Sequence, residues 1–340
     1  MKIKQPFLQY PGPVLSILLS PLQFPYLAIT VTRYVLYITG AIKPHAPKCR
    51  VISIGNLTLG GTGKTPLTQY TAKLLAKNNY HSTIISRGYG KLPAYATLTD
   101  DEAFDKIPTV TRLVGNNKAF LTDMAVKKFN PKFIILDDGF QSLYIRRDLN
   151  ILVIDCLNPF GNGRLFPAGI LREPLYAMRR AGLVILSHAD FMAKEQLESL
   201  KSVITRHTNA PVACTSHKPE CFIKPDNNST LPVKYLANKT VVAFCGIGNP
   251  DSFRKTLESM NIKLAGFYPY PDHYKYGEDD MRFIAETAKQ LKADAICMTT
   301  KDLSKVHGPV ISSGIPAVAL KISMEFTENR DVFHKMVLGT

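Results

Sequence analysis

Gly60-Gly61-Thr62-Gly63-Lys64-Thr65 is a run whose residue types can hold phosphate. Glycines let backbone N–H groups close around phosphate oxygens, Lys64 offers a point charge to the terminal phosphates, and the Thr65 hydroxyl can ligate Mg2+. A helix leaving this run aims its N-terminal dipole at the same anion. Phe133-Ile134-Ile135-Leu136-Asp137-Asp138 is an apolar strand ending in two carboxylates, either of which can hold Mg2+ directly or through water. Arg87-Gly88-Tyr89-Gly90, Asn162-Gly163-Arg164 and Leu171-Arg172-Glu173-Pro174 cluster Gly and Arg as phosphate-bearing ligands require, since Arg grips oxygens in bidentate fashion. Pro271-Asp272-His273 adds an imidazole that titrates near neutrality. Each motif alone also fits an ordinary loop; the glycine run and the carboxylate pair together point to a nucleotide.

These residues need a scaffold that gathers strand ends. Val51-Ile52-Ser53-Ile54 enters the glycine run, and Leu67, Tyr70, Thr71, Leu74 and Leu75 recur at helical spacing after it. Strand-length apolar runs over 50–54, 83–86, 133–136, 151–154, 183–186 and 212–214 alternate with helical stretches over 64–77, 118–128 and 193–206. That alternation predicts an α/β fold, a P-loop NTPase-like, mostly parallel sheet flanked by helices, with the ligand crevice at the C-terminal strand ends. Past the polar passage Lys224-Pro225-Asp226-Asn227-Asn228-Ser229, strands over 241–244, 263–268 and 295–298 and helices over 251–260 and 279–291 predict a smaller C-terminal α/β domain.

The chain has 340 residues, 45% of them hydrophobic and 20% charged, so it can bury a sizeable core and is not a disordered chain. Its six cysteines show neither C-x-x-C nor zinc-finger spacing, which predicts packing thiols in a reducing, cytosolic setting. The net charge of +15 is uneven: eleven Lys and Arg precede the first acidic residue, Asp100. Such a field attracts anions. Nucleic acid is not the expected partner, since no zinc finger, RNA-recognition signature or basic heptad is present. No obligate protein partner is evident.

Nineteen uncharged residues run from Val14 to Thr32, close to the ~20 that span a bilayer, but Pro21 and Pro25 interrupt them. Phe24, Tyr26, Tyr34 and Tyr37, with Lys2, Lys4, Arg33, Lys43 and Lys48 around them, suit an anionic headgroup region. A helix in or dipping into the interface is expected, with a greasy helix packed on the protein's own core as the alternative. The expected organisation is a membrane-associated segment over 1–45, a nucleotide-binding core over 46–223, a linker over 224–236 and the C-terminal domain over 237–340.

The ordered motifs resemble those of the tetraacyldisaccharide 4'-kinase family, the lipid A kinases of Gram-negative envelope synthesis. Carrying the resemblance are Gly55-Asn56-Leu57-Thr58-Leu59-Gly60-Gly61-Thr62-Gly63-Lys64-Thr65-Pro66, Ser86-Arg87-Gly88-Tyr89-Gly90, Asp137-Asp138-Gly139-Phe140-Gln141, Arg147-Asp148-Leu149, Gly161-Asn162-Gly163 and Pro167-Ala168-Gly169. Leu171-Arg172-Glu173-Pro174, Gly246-Ile247-Gly248-Asn249-Pro250 and Pro271-Asp272-His273 complete the set. The usual phosphate-loop pattern has glycine where this chain has Thr58; the family has threonine there too.

The resemblance implies transfer of the γ-phosphate of ATP, with Mg2+, to the 4'-hydroxyl of a tetraacylated disaccharide 1-phosphate at the cytoplasmic face of the inner membrane. Thr58, Leu59, Gly60, Gly61, Thr62, Gly63, Lys64 and Thr65 would bind the nucleotide, and Lys64 would also act in catalysis. Asp101, of the pair Asp101-Glu102, would be the base and His273 its orienting partner; Asp100, standing where the family has glycine, is the alternative. Metal ligation falls to Thr65 and Asp138, then to Asp137 and Glu173. Asn56, Arg87, Tyr89, Gln141 and Arg172 are the expected substrate-side residues. Ser142 replaces a family histidine, and Gly115-Asn116-Asn117-Lys118 departs from the usual Arg-containing helix start.

Other classes fit less well. A partition-type ATPase switch carries lysine where this chain has Leu59, and a phosphate-loop GTPase needs an Asn-Lys-x-Asp motif that is not clear here. A nonenzymatic membrane adaptor leaves Asp137 and Asp138 without a purpose.

Overall fold

A computed structural model describes residues 11–87, 107, 109–272, 274–306 and 308–340. They form two compact units: residues 11–216 with Phe326–Thr340, and His217–Glu325. The boundary thus falls at His217, and residues 326–340 join the first unit although the sequence pattern groups them with the second. The stretch 224–236, expected as a linker, carries a short strand, Thr230–Leu231, and a 3-10 turn, Val233–Leu236, with Leu236 buried.

The first unit opens with helices α1 (Pro13–Leu19) and α2 (Gln23–Ile38). Together they make a 26-residue helical stretch of mean hydropathy 1.7, long and apolar enough to cross a membrane. One stripe of it is polar and docked: Ser16 Oγ donates to the Ala168 carbonyl (2.6 Å), Arg164 to Ser20 Oγ (2.6 Å), the Leu165 N–H to Gln23 Oε1 (3.0 Å) and Tyr26 to the Arg172 carbonyl (2.8 Å). The other faces leave Val14, Ile17, Leu18, Phe24 and Ile29 exposed.

The core follows as β1 (Arg50–Gly55), α3 (Lys64–Lys77), β2 (Ser82–Ser86), β3 (Val110–Val114), α4 (Lys118–Phe129), β4 (Phe133–Asp137), β5 (Leu149–Asp155), β6 (Leu183–Ser187), α5 (Lys194–Thr205) and β7 (Val212–Ile223). The strands pair in parallel in the order β7-β6-β5-β1-β4-β2-β3. Both faces of the central strands are covered, which is why Phe133 through Leu136 read as an unbroken apolar run and Val51–Ile54 as one interrupted only by the buried Ser53. α3 buries Leu67, Thr71, Leu74 and Leu75 at helical spacing. Each such leucine contributes ~1.5–3 kcal/mol on leaving water. α4 starts at Asn117, whose side chain accepts the Phe120 N–H (3.1 Å), and ends at Asn130 in the left-handed region.

In the second unit β8 (Thr230–Leu231) pairs with the end of β7. β9 (Thr240–Cys245), α6 (Pro250–Ser259), β10 (Lys263–Pro269), α7 (Glu278–Gln290), β11 (Ala295–Thr299), the short α8 (Thr300–Leu303) and β12 (Ala317–Glu328) follow. Their strands are parallel in the order β10-β9-β11-β12. Next comes α9 (Arg330–Leu338), whose Phe333 packs edge-to-face on Tyr70 of α3 and whose His334 Nε2 lies 2.8 Å from the Tyr70 hydroxyl. Both α/β readings are thereby met; β3, β8, β12, α8 and α9 are additions to the predicted elements.

Candidate active site

The loop from Thr58 to Thr65 joins β1 to α3, where parallel topology puts the ligand crevice. Gly63 has φ 81°, a left-handed turn open to glycine, and so delivers Lys64 into the first turn of α3. Among the described residues no side chain caps this helix and no acid sits in its first turn, so its N-terminal dipole favours an anion there. The loop is tethered from outside itself: Leu59 N–H donates to the Ile170 carbonyl (2.8 Å), Arg172 N–H to the Leu57 carbonyl (2.7 Å) and Ser187 Oγ to the Thr62 carbonyl (2.9 Å).

β4 ends beside it in the carboxylate pair. Gly139 permits the turn that follows, since a Cβ there would lie 2.6 Å from Ser53 Oγ and 2.8 Å from Leu136 Cβ. Asp138, at φ 49°, receives Arg172 Nη1 on both carboxylate oxygens (2.9 and 3.0 Å), and Lys64 Nζ stands 3.6 Å away. Burial alone would raise this carboxyl, but Lys64, Arg172 and Lys118 together hold it below the ordinary carboxylate range. Asp137 turns the other way, toward α3, where Thr68 Oγ1 donates to it (3.4 Å) one turn beyond Thr65. Arg172 also reaches Gln141 Oε1 (3.2 Å), and Gln141 Nε2 donates to the Asn56 carbonyl (2.9 Å).

The structure therefore gathers Asn56, the loop 58–65, Asp137, Asp138, Gln141 and Arg172 at one crevice. Asn56 is fully buried, and among the described residues neither of its side-chain polar atoms has a hydrogen-bond partner, an orphaned pair of the kind a ligand satisfies. Glu173 stands apart from this metal-side group: its carboxylate is paired with Arg180, whose guanidinium also lies 4.6 Å over the Phe140 ring. Arg87 is exposed after β2. Tyr89, Asp100, Asp101 and His273 lie outside the described residues.

One site residue escapes the sequence reading. Lys118 is buried at the start of α4, and its ammonium donates to the carbonyls of both Asp137 and Asp138, the latter at 2.8 Å. Burial lowers its pKa, with Asp138 and Asp137 opposing. It pins the carboxylate turn from behind, a role visible only once α4 is seen beside β4.

The donor set suits Mg2+: a threonine hydroxyl at the head of α3 and hard carboxylate oxygens at the end of β4, with phosphate oxygens completing the shell. Among the described residues no group of three His, Cys, Asp or Glu forms an all-protein metal cage.

An open helix N-terminus with a lysine in its first turn, set against paired carboxylates on a parallel sheet, defines a phosphate-loop nucleotide enzyme. Comparison narrows that class. The family model for tetraacyldisaccharide-1-P 4'-kinase matches residues 15–339, and the chain belongs to that family of kinases. The tetraacyldisaccharide 4'-kinase of Halothermothrix orenii is 35% identical over 320 residues, covering 86% of this chain and 83% of its own. That of Syntrophus aciditrophicus is 36% identical over 310 residues, covering 84% and 83%. The solved structure of LpxK from Aquifex aeolicus in complex with ATP is similar at a TM-score of 0.71 and 28% identity, over 96% of this chain and 99% of that one.

Proposed function

We propose that the protein transfers the γ-phosphoryl group of ATP to the 4'-hydroxyl of tetraacyldisaccharide 1-phosphate, forming the 1,4'-bisphosphate of lipid A biosynthesis. The observation that carries this reading is the uncapped first turn of α3 with Lys64 beside Asp138, in a chain of the 4'-kinase family. The acceptor oxygen attacks the γ-phosphorus, the bond to the β,γ-bridging oxygen breaks, and ADP leaves. Loop N–H groups and Lys64 neutralise charge that builds on the transferring group, where positioning and electrostatics supply most of the catalysis. Asp101, with Asp100 as the alternative, takes the hydroxyl proton, and His273 orients it. Mg2+, held by Thr65 and by Asp138 or Asp137, would supply further charge neutralisation on the phosphates. Arg172, Gln141 and Asn56 serve the acceptor side.

The apolar face of α1 and α2 supports association with the cytoplasmic face of the inner membrane. Since its polar stripe is bonded to residues 164–172, the segment lies along its own unit and meets lipid with its other face.

The test is transfer from γ-labelled ATP to tetraacyldisaccharide 1-phosphate in detergent micelles, with Lys64→Ala beside the wild type. Labelled lipid that falls at least about a hundredfold in the variant is expected. ATP hydrolysis with unlabelled lipid would overturn the acceptor assignment.

A further inference from the structure

The kinase reading leaves the turn after β6, Ser187-His188-Ala189-Asp190, without a role. Strands β1, β5 and β6 are neighbours and parallel, with Gly55 level with Leu152 and Leu152 with Val184, so β5 and β6 run three residues past the end of β1, to Asp155 and Ser187. With strands ~4.8 Å apart, the β6 end lies about 10 Å across the sheet from the end of β1. Contact closes that gap, because Ser187 Oγ donates to the Thr62 carbonyl of the phosphate loop (2.9 Å).

The turn is held rigidly for an ordinary connection. His188 is buried in the left-handed region, φ 55°, with Nδ1 2.8 Å from Asp155 Oδ1, and its ring stacks on Phe191 with centroids 6.4 Å apart. A non-glycine residue holds that conformation only where its surroundings fix it. Beyond it Asp190 is exposed, and no salt bridge engages its carboxylate among the described residues.

The polarity of a bound nucleotide follows from the charges. Lys64, Arg172 and Asp138 mark the terminal-phosphate end on the β4 side of β1. The nucleoside must then leave on the opposite side, over β5 and β6. Asp190 is three residue steps on from Ser187, a reach of at most about 11 Å from the loop contact.

We propose that Asp190 reads the amino edge of the purine, which makes 187–190 the base-recognition turn of the kinase; this rests on the ATP reading above. An ionised carboxylate only accepts hydrogen bonds, and the adenine 6-amino group donates. A bond to a charged acceptor discriminates against a base that lacks the donor.

The experiment is equilibrium binding of ATP and of purine riboside triphosphate, which lacks only the 6-amino group, to the full chain. The wild type should prefer ATP by about tenfold or more. Asp190→Ala should bring the two affinities together by weakening ATP alone, and Asp190→Asn, whose amide oxygen still accepts, should keep part of the preference. Thermal unfolding should be unchanged for both, as the side chain is exposed. An undiminished ATP preference in Asp190→Ala overturns the proposal, as does an equal loss for both nucleotides, which would mark a structural role. A wild type that binds neither nucleotide overturns the ATP reading itself, and the proposal falls with it.

Discussion

The two units each carry a glycine-bearing turn from a parallel strand into a helix, and they use it in opposite ways. Between β1 and α3, Gly63 sits at the cap position with no capping side chain among the described residues, and Lys64 adds positive charge to the helix N-terminus. Between β9 and α6, Gly246-Ile247-Gly248-Asn249-Pro250 is satisfied from within. Asp302, fully buried, accepts the Gly246 N–H (3.1 Å), the Tyr276 hydroxyl (3.1 Å) and Thr299 Oγ1 (2.6 Å), and pairs with Lys305. Asn249 caps α6 by accepting the Ser252 N–H (3.2 Å), and Pro250 removes one donor. The second turn already holds its anion, a carboxylate of its own chain. What marks a phosphate site is therefore the set of donors a turn leaves unanswered, more than its glycines.

The comparison is most exposed at Asp302. Asp302→Ala strips the internal anion from the second turn and strands the Gly246 N–H, so denaturant unfolding should show a loss of about 3 kcal/mol. Nucleotide affinity should survive; if it fell in step with stability, the second turn would not be the closed structural element described. Next comes Lys118→Met, which deprives two carbonyls of their donor beneath the carboxylate pair. About 2 kcal/mol of stability should go, with a lower kcat and little change in KM for ATP. Unchanged kcat would remove Lys118 from the positioning of Asp137 and Asp138. The smallest effect belongs to Asn249→Ala, about 1 kcal/mol for a lost cap. Calorimetric titration of that variant with inorganic phosphate should still show no binding at α6, and binding there would break the contrast.

The first turn is legible in the sequence because its chemistry is local: consecutive residues supply glycines, lysine and threonine, and the flanking apolar periods announce strand and helix. β4 is legible too, since burial on both faces leaves four unbroken apolar residues before Asp137. Among the described residues β3 pairs only with β2, and its Thr111 and Arg112 break the apolar run, so its pattern is weak. β12 reads as alternation from Leu320 on, with Lys321, Ser323 and Glu325 between apolar residues, which is a half-covered strand and not the continuous run that marks a central one. Lys118, the orphaned Asn56 and the turn at Ser187 depend on strand order, and no local pattern encodes which strand lies next to β1. The pairing of Glu173 with Arg180 is likewise a matter of fold: from the sequence, Glu173 and Arg172 are simply neighbours, yet one faces Asp138 and the other does not.

The return of residues 326–340 to the first unit bears on how the protein is made. His217–Glu325 is an insertion within the unit that holds the phosphate loop, and α9, which packs on α3 through Phe333 and His334, emerges from the ribosome after the whole insertion. Domains commonly complete themselves in order of synthesis. Here the inserted unit has all its residues first, and the nucleotide-binding unit waits for residues 326–340 to cover Tyr70. Any growing chain stalled before residue 326 would display a finished insertion on an unfinished kinase.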